Sequence, residues 1–280
     1  ALADAQSAAR TALANAQAAL ARAEAIPALN VQGAAGALPG LAQRVQSAAT
    51  VADYQSATAA LDAQTASLNA LVDLRQSAYD LLAKTQAHMQ RAQQGGIDVS
   101  ADQPQLDAAA KALDAASDTS SLDAAKQQVQ NVKNDVDVKY NLAVYGPGKV
   151  IVVSIALEEL EALQDGVVVQ DTLVTTGRPS LPTPVGTFSV MAKYSPYHMV
   201  SPWPYGNHYY YPPVWLKYAM LWHDGGYFIH DASWRYHYGP GSDTEYGGTH
   251  GCINVPGASI GWLYNWAEVG TKVVTLSDVF

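Results

Sequence analysis

The chain is poor in cysteine and in positive charge. It has a single cysteine among 280 residues, so no disulfide can form within it. Its formal net charge is −9, with more acidic than basic residues in each half, so it lacks the basic surface that nucleic-acid binding demands. No apolar run approaches the roughly 20 residues of a membrane-spanning helix. Neither an initiator methionine nor a signal sequence is present, so we expect a processed or trimmed chain.

Aromatic residues are scarce in the first half. Before residue 141 only Tyr54, Tyr79 and Tyr140 occur, whereas all six tryptophans lie beyond residue 200. Eleven of the fourteen prolines also lie in the second half. This shift in composition predicts two domains, 1–144 and 149–280, that meet near residues 145–148.

The first domain is rich in alanine, the residue with the highest helix propensity. The pattern predicts an antiparallel helical bundle whose long helix, 51–94, begins at a capping box formed by Thr50 and Asp53. The similarity of 14–23 to 83–92 predicts two three-helix repeats that share the long helix.

The breaks between these helices are predicted from proline, glycine and serine. Pro27 and the glycines at 33, 36 and 40 indicate a loop after a first helix at 2–25. The remaining helices are expected at 41–49, after a capping signature at 100–104, and at about 122–140.

The second domain is predicted to be mostly β, with one short helix at 256–269 capped by Gly270. Between Tyr194 and Pro213 the sequence predicts an aromatic, proline-rich loop without secondary structure, typical of a binding surface or lid. The predicted strands are 149–155, 160–163, 167–174, 215–222, 227–230 and 272–276.

The single cysteine, Cys252, lies in the segment Thr249-His250-Gly251-Cys252-Ile253-Asn254, and His230 ends an apolar run upstream. A thiol is nucleophilic only as thiolate, so its pKa of about 8.5 must be lowered by an imidazole or by backbone N–H groups. Glycine beside the cysteine lets a substrate carbonyl approach the main chain. The residues alone favour a cysteine acyltransferase or hydrolase, with a small buried apolar cysteine as the alternative.

With His230 upstream, this segment resembles the signature of the L,D-transpeptidases that have a YkuD-type catalytic domain. The segment Thr183-Pro184-Val185-Gly186-Thr187-Phe188 resembles a second stretch that follows the opening hairpin in that family. The two stretches occur in the family's order, and the resemblance covers about 149–277. It implies a mostly-β YkuD-type fold for the second domain.

The resemblance also implies catalytic roles. His230 matches the base that activates the thiol of Cys252, and His250 lines the site and supports its geometry. The backbone carbonyl of Asp231 matches the third member, where the family usually has Gly or Ser. Its carboxylate either orients His230 or leaves the main-chain role unchanged. The N–H groups of Gly251 and Cys252 are the candidate oxyanion donors.

Five further residues are expected to bind substrate or shape the pocket. Asn254 matches the family's Asn or Arg and is expected to position the loop. Thr249 is suited to hydrogen-bond a histidine, and Trp234 to wall the pocket. Tyr218 is the candidate for an oxyanion hydroxyl, and Tyr211 belongs to the aromatic loop.

The implied reaction is peptidoglycan L,D-transpeptidation, in which Cys252 attacks the third residue of a stem peptide and releases D-alanine. Transfer of the acyl group to an amine of a neighbouring stem gives a 3–3 cross-link. Such an enzyme works in cell-wall biogenesis and cell shape, outside the cytoplasmic membrane, secreted or anchored. The alternatives are an L,D-carboxypeptidase, which transfers the acyl group to water, and a non-catalytic wall-binding protein.

The helical domain has no pattern typical of a catalytic site. Its one histidine, His88, is expected at a solvated or semi-buried helix position. We expect the domain to be a spacer, or else an interaction module for cell-wall polymer or a partner protein.

Histidines near the motif raise the question of a zinc site. Their spacings provide no tetrahedral ligand set, so we expect no metal and no other cofactor. These histidines are His198, His208, His223 and His237.

Overall fold

The computed structural model describes residues 1–278. The alanine-rich first half of the chain is helical. The predicted helix 51–94 coincides with the longest helix, which at 1.5 Å per residue is about 66 Å long. The helices are α1 (Leu2–Glu24), α2 (Gln32–Ser47), α3 (Val51–Gln94), α4 (Gln103–Ala115) and α5 (Thr119–Tyr145). In the described part of the chain, no helix has both the length and the hydropathy of a membrane span.

A first core lies between α1, α2 and the first half of α3. The buried face of α1 is a row of alanines spaced three or four residues apart, namely Ala9, Ala12, Ala16, Ala19 and Ala23. Side chains this small let the helix backbones approach closely, and Ala57 and Leu61 of α3 complete the core. The sequence feature that favours helix formation thus also supplies the packing surface.

The second half of α3 packs with α4 and α5. The Tyr79 hydroxyl donates to Asp114 of α4 (2.6 Å). His88 is partly buried, as expected, with Nδ1 2.6 Å from Oδ1 of Asp137 in α5. The five helices are therefore two three-helix sets that share α3, as the sequence predicts. Their origin by duplication stays a prediction.

The predicted loop around residues 33–40 is wrong, because α2 runs through it with Pro39 inside the helix. Proline costs about 3 kcal/mol in a helix interior and glycine about 1 kcal/mol, so local propensity favours a break. Leu38 and Val45 lie two turns apart on one face and are buried in the first core. Tertiary packing of this face therefore outweighs the local preference.

The chain divides into compact units between Asp137 and Val138, inside α5. The last turns of α5 belong to the second unit, where Asn141 Nδ2 donates to the carbonyl of Gly166 (2.9 Å). The helix continues to Tyr145 because the first residue that interrupts it is Gly146, with φ of +83°. The assignment of 1–144 and 149–280 as functional domains stays a prediction.

The second unit is mostly β with one short helix, α6 (Gly257–Trp266), which confirms the predicted class. Its strands are β1 (Lys149–Ser154), β2 (Glu159–Gln164), β3 (Val167–Leu173), β4 (Gly186–Ser189), β5 (Ala192–Tyr194), β6 (Tyr197–Met199), β7 (Val214–Leu216), β8 (Ala219–His223), β9 (Tyr227–Asp231), β10 (Ile253–Val255) and β11 (Lys272–Leu276).

These strands form two main sheets and a hairpin. One sheet has the order β3-β2-β1-β11-β4, and the other has the order β10-β9-β8-β5. Strands β1 and β11 pair in parallel, although they open and close the domain. The main core contains Ile151, Trp222, Ile229 and Leu263, which come from both sheets and from α6.

Two predicted elements of the second unit differ from the structure. The strand expected at 215–222 is interrupted, because the N–H of Tyr218 donates to the Asp231 carboxylate instead of continuing a ladder. The loop expected at 194–213 contains β6, which pairs with β7 across a 14-residue connection. This pairing joins segments far apart in the sequence, so no local pattern signals it.

The end of the predicted helix 256–269 is also wrong. Helix α6 stops at Trp266, and its C-cap is Ala267 rather than Gly270. Gly270 has φ of +95° in the turn that leads into β11. The turn that precedes β11, and not a helix cap, therefore requires the positive φ of Gly270.

The parallel pairing of β9 with β10 positions the motif. It sets Asn254 opposite His230, and Ile253 opposite Ile229. On its other side, the backbone of Asn254 exchanges two hydrogen bonds with Thr175. The strand that follows Cys252 is thus hydrogen-bonded on both edges, to β9 on one side and to Thr175 on the other.

Replacing Thr50 by alanine tests the predicted capping box at the start of α3. The Thr50 hydroxyl accepts the N–H of Asp53 (3.2 Å), and the Asp53 carboxylate accepts the N–H of Thr50 (2.9 Å). We expect Thr50→Ala to lower the free energy of unfolding by about 1 kcal/mol in urea titrations followed by far-UV circular dichroism. The control is Thr11→Ala in the exposed interior of α1, which should cause no loss, and equal losses would contradict the capping role.

Candidate active site

Cys252 lies one residue before β10, at the end of a turn that requires glycine. Gly251 has φ of +101°, a conformation that L side chains rarely adopt. A Cβ on Gly251 would also lie 2.3 Å from Cε1 of Tyr227, so the tyrosine ring occupies the space that a side chain would need. The glycine before the cysteine is therefore a steric requirement of the turn.

Thr249 stabilises this turn from within. Its hydroxyl accepts the N–H of Gly251 (3.0 Å) and donates to the carbonyl of Cys252 (2.6 Å). Its N–H donates to the Thr176 carbonyl (2.8 Å), and its carbonyl accepts from Nε of Arg178 (3.1 Å). We expected Thr249 to bond a histidine or substrate, but the turn itself uses its hydroxyl.

The thiol of Cys252 is half-buried and hydrogen-bonds to main-chain groups. Sγ accepts the N–H of Phe228 (3.4 Å) and donates to the carbonyl of Gly226 (3.9 Å). Tyr197 and Tyr211 pack in the same apolar cluster. Burial raises the pKa of Cys252 to about 11, and the N–H of Phe228 offsets only part of this effect. The sulfur is therefore a neutral thiol at pH 7 and needs a base to become nucleophilic.

His230 is buried in β9 and is hydrogen-bonded at both ring nitrogens. Nδ1 lies 2.7 Å from the carbonyl oxygen of Asp231, and Nε2 lies 3.0 Å from Nδ2 of Asn254. We expect His230 to be the base for Cys252, and within residues 1–278 no hydrogen bond joins the two side chains. The reason is the strand register, which sets Asn254 opposite His230. The role of His230 as the base stays a prediction.

Cys252 nevertheless lies only two residues before Asn254, the residue that pairs with His230 across β9 and β10. Cys252 and Asn254 are two residues apart, as are Phe228 and His230, and alternate residues of a strand face the same side. Burial lowers the pKa of His230, while the carbonyl and charge of Asp231 act in the opposite direction. Burial therefore favours the neutral form of both the imidazole and the thiol.

Asp231 takes part through its main chain. Its carbonyl oxygen is the acceptor for Nδ1 of His230, while its carboxylate Oδ1 accepts the N–H of Tyr218 (2.7 Å). The sequence left open whether the carboxylate or only the main chain of Asp231 contacts His230. In the structure the main-chain carbonyl makes this contact. The negative charge still lies close enough to favour protonated His230.

Tyr218 does not reach the thiol cluster. Its ring packs against Tyr264 of α6, with a centroid distance of 4.9 Å, and the Lys217 ammonium lies over it. Tyr211 is one of the tyrosines near the motif, and its hydroxyl donates to the carbonyl of Val200 (3.2 Å). Burial, and then the nearby Cys252, raise the pKa of Tyr211 to about 12.

His250 and Trp234 form walls of the site. The ring of His250 lies 5.3 Å from that of Trp203 and 5.2 Å from that of Tyr211. Burial, and then the positive charge of Arg178, lower the pKa of His250 to about 4, so its ring is neutral at pH 7. Trp234 is half-exposed, and its ring lies 6.2 Å from that of His230.

A thiol, an imidazole bonded to a main-chain carbonyl, and a glycine turn thus occur together in one β domain. Residues 148–275 match the YkuD family, the L,D-transpeptidase catalytic domain. This match confirms the resemblance seen in the motif, and we call the second unit the YkuD domain below.

Solved structures of L,D-transpeptidases are similar to part of the chain. A mutant enzyme from Enterococcus faecium is 29% identical over 46% of this chain and 50% of its own, with a TM-score of 0.42. An enzyme from Mycobacterium smegmatis is 28% identical over 47% of this chain and 59% of its own, with a TM-score of 0.42.

A third solved structure is an L,D-transpeptidase in complex with imipenem. It is 26% identical over 47% of this chain and 60% of its own, with a TM-score of 0.41. The chain thus spans between 50% and 60% of the length of these three proteins. A comparison with curated proteins found no match.

Sequence reasoning missed one residue of the YkuD domain site, Arg235. Its Nε donates to Oδ1 of Asn254 (3.2 Å), and its Nη2 donates to the carbonyl of Gly247 (2.7 Å). It lies five positions after His230, outside the motif, and only the fold brings it to Asn254. The closeness of this arginine in sequence to His230, the candidate base, was the one available signal.

The other histidines of the YkuD domain do not converge. His198 stacks on Trp215 with a centroid distance of 4.5 Å, and His223 contacts the rings of Phe188 and Tyr227. Within the described residues, no three His, Cys, Asp or Glu side chains are grouped as metal ligands would be.

The raised pKa of Cys252 predicts a pH dependence for alkylation. Because the folded thiol keeps its proton until about pH 11, the rate with iodoacetamide should rise about tenfold per pH unit from pH 7 to pH 10. Mass spectrometry measures the reaction at a single site, since the chain has one cysteine. The urea-unfolded chain is the control, and its alkylation rate should stop rising at a lower pH than that of the folded chain. A rate that is already level at neutral pH in the folded chain would contradict the raised pKa.

Proposed function

We propose that the YkuD domain is a peptidoglycan L,D-transpeptidase in which Cys252 forms an acyl-enzyme with a stem peptide. The observation that carries the proposal is the pairing of β9 with β10, which sets the buried imidazole of His230 opposite Asn254, two residues after the thiol of Cys252. The match of residues 148–275 to the catalytic-domain family supports the same reaction class.

In the first step the Cys252 thiol gives its proton to Nε2 of His230, which exchanges its hydrogen bond from Asn254 for one from the thiol. Such hydrogen bonds are often long in unliganded enzymes and tighten with substrate bound. The sulfur attacks the carbonyl carbon of the third stem residue. The bond to the terminal D-alanine breaks, its amine takes the proton from His230, and a thioester remains.

In the second step an amine of a neighbouring stem attacks the thioester. Its proton passes to His230, the carbon–sulfur bond breaks, and the departing thiolate takes that proton back. The product is a 3–3 cross-link, and the enzyme returns to its starting state. Because the polymer lies outside the cytoplasmic membrane, we place the protein there and assign it to cell-wall biogenesis.

Each step develops negative charge on the carbonyl oxygen, and preorganised donors stabilise that charge. The N–H of Gly251 is engaged by Thr249, so we assign the N–H of Cys252 to the oxyanion in place of the expected pair. Tyr211, which packs in the cluster with Cys252, replaces Tyr218 as our candidate tyrosine. Asn254 contacts His230 rather than a substrate pocket, and His250 and Trp234 shape the cleft.

The helical unit has no role in this chemistry. Its long helix α3, about 66 Å from end to end, fits a spacer. An interaction with cell-wall polymer or a protein partner is the alternative for this unit.

Acylation of Cys252 is the direct test of the proposal. Imipenem carries a strained amide that a thiolate opens, so the wild-type protein should gain the mass of one imipenem molecule. Cys252→Ala should gain none. His230→Ala should react at least about 100-fold more slowly, the usual contribution of a general base. The matched control is His237→Ala, since His237 is exposed and should react like the wild type. An adduct that persists in Cys252→Ala would overturn the proposal.

The fate of the acyl group separates a transpeptidase from an L,D-carboxypeptidase. The thiol lies in a cluster with Tyr197, Tyr211 and Phe228, which limits access of water to a thioester. We therefore expect a stem tetrapeptide to yield mainly the cross-linked dimer and free D-alanine, measured by liquid chromatography and mass spectrometry. Tripeptide as the sole product at millimolar acceptor concentrations would assign hydrolysis instead.

A further inference from the structure

Arg235 begins a chain of hydrogen bonds that ends at the proposed catalytic base. The guanidinium can only donate. It lies half-buried and donates through Nε to Oδ1 of Asn254. Because Oδ1 is used as the acceptor, the amide nitrogen of Asn254 is the atom that faces His230.

The direction of each following bond is then determined. An amide NH₂ group donates and cannot accept, so Nε2 of His230 must carry the lone pair. The proton of the neutral ring is consequently on Nδ1, which donates to the carbonyl of Asp231. Arginine at one end and a main-chain carbonyl at the other therefore select one of the two tautomers.

Amide rotation is the freedom that this arrangement removes. Asn254 is 3% exposed, and its backbone is fixed by the register with His230 and by two hydrogen bonds to Thr175. Without Arg235 the side-chain amide could rotate by 180° and present its oxygen to His230. That orientation favours a proton on Nε2, the nitrogen that must receive the proton of Cys252.

We infer that Arg235 is a positioning residue, which orients the Asn254 amide and thereby keeps the lone pair of His230 on Nε2. The inference rests on the proposed function, since it assumes that His230 is the base for Cys252. It adds a residue outside the motif to the site, and it assigns Asn254 to the base rather than to the substrate.

A purely structural role for Arg235 is the competing explanation, because its Nη2 also holds the carbonyl of Gly247. The YkuD domain has a matched control for this possibility. Arg178 likewise donates to main-chain carbonyls of the same loop, those of Gly248 and Thr249. Its guanidinium bonds neither Asn254 nor His230 in the described structure.

The test reads the tautomer directly, in the full chain without substrate. Histidine labelled with ¹⁵N gives separate NMR signals for protonated and unprotonated ring nitrogens, and the spectrum of His230→Gln identifies the His230 signals. The wild type should have hydrogen on Nδ1 and none on Nε2. Arg235→Gln should move His230 towards the Nε2–H form, whereas Arg178→Gln should leave its signals unchanged.

Acylation by imipenem supplies the second measurement. Selecting the wrong tautomer of a catalytic histidine is costly, so Arg235→Gln should react at least about 10-fold more slowly than the wild type. Unchanged His230 signals in Arg235→Gln, or equal changes in Arg178→Gln, would overturn the inference. A wild type that is not acylated at all would instead contradict the proposed function, whatever the tautomer.

Asn254→Asp keeps the test decisive should Arg235→Gln fail to fold. The carboxylate retains an acceptor for Arg235, and the bond from Arg235 to Gly247 is untouched. Because a carboxylate only accepts, it should draw a proton onto Nε2 of His230 and slow acylation. If Nε2 of His230 carries no proton in Asn254→Asp between pH 6 and pH 8, the inferred chain of hydrogen bonds is contradicted. The charged groups that act on His230 are Asp231 and Arg235, and both are present in this variant.

Discussion

The parallel pairing of β9 with β10 is the constraint on which the rest of the site depends. Two short strands from different parts of the sequence meet in a register that sets Asn254 against His230. The same register brings the sulfur of Cys252 to the N–H of Phe228. A slip by one residue would turn every side chain to the opposite face, which would separate the thiol from the imidazole. The proposed reaction therefore depends first on the pairing of these strands, which positions the thiol and the imidazole.

A buried polar network behind the motif supports this register. The carboxylate of Glu158 is buried and accepts the N–H of Thr176 (2.9 Å) and the hydroxyl of Ser242 (2.9 Å). Burial raises its pKa, and the hydrogen bonds act in the opposite direction. The segment anchored in this way accepts the N–H groups of Asn254 and Thr249 through the carbonyls of Thr175 and Thr176. The turn that carries Cys252 is therefore supported by a buried carboxylate that is itself hydrogen-bonded.

Local chemistry explains which parts of the fold could be predicted. The Thr50 cap and the long helix α3 depend on residues close together in the sequence, and both are present as predicted. The helix through Pro39 was missed because burial of Leu38 and Val45 outweighs a local preference for a break. Pairings such as β6 with β7 join distant segments, so neither composition nor periodicity signals them.

The sequence by itself determined the two-part organisation, the mostly-β class of the second unit and the identity of the thiol, because these follow from composition, local propensity and one rare residue. Only the tertiary structure decided what each site residue touches. In the structure His230 is hydrogen-bonded to Asn254, and Tyr218 packs against α6. Thr249 hydrogen-bonds within its own turn, and Arg235 contacts Asn254. Hydrogen bonds act over about 3 Å, and the distances between residues that a fold brings together are absent from their order along the chain.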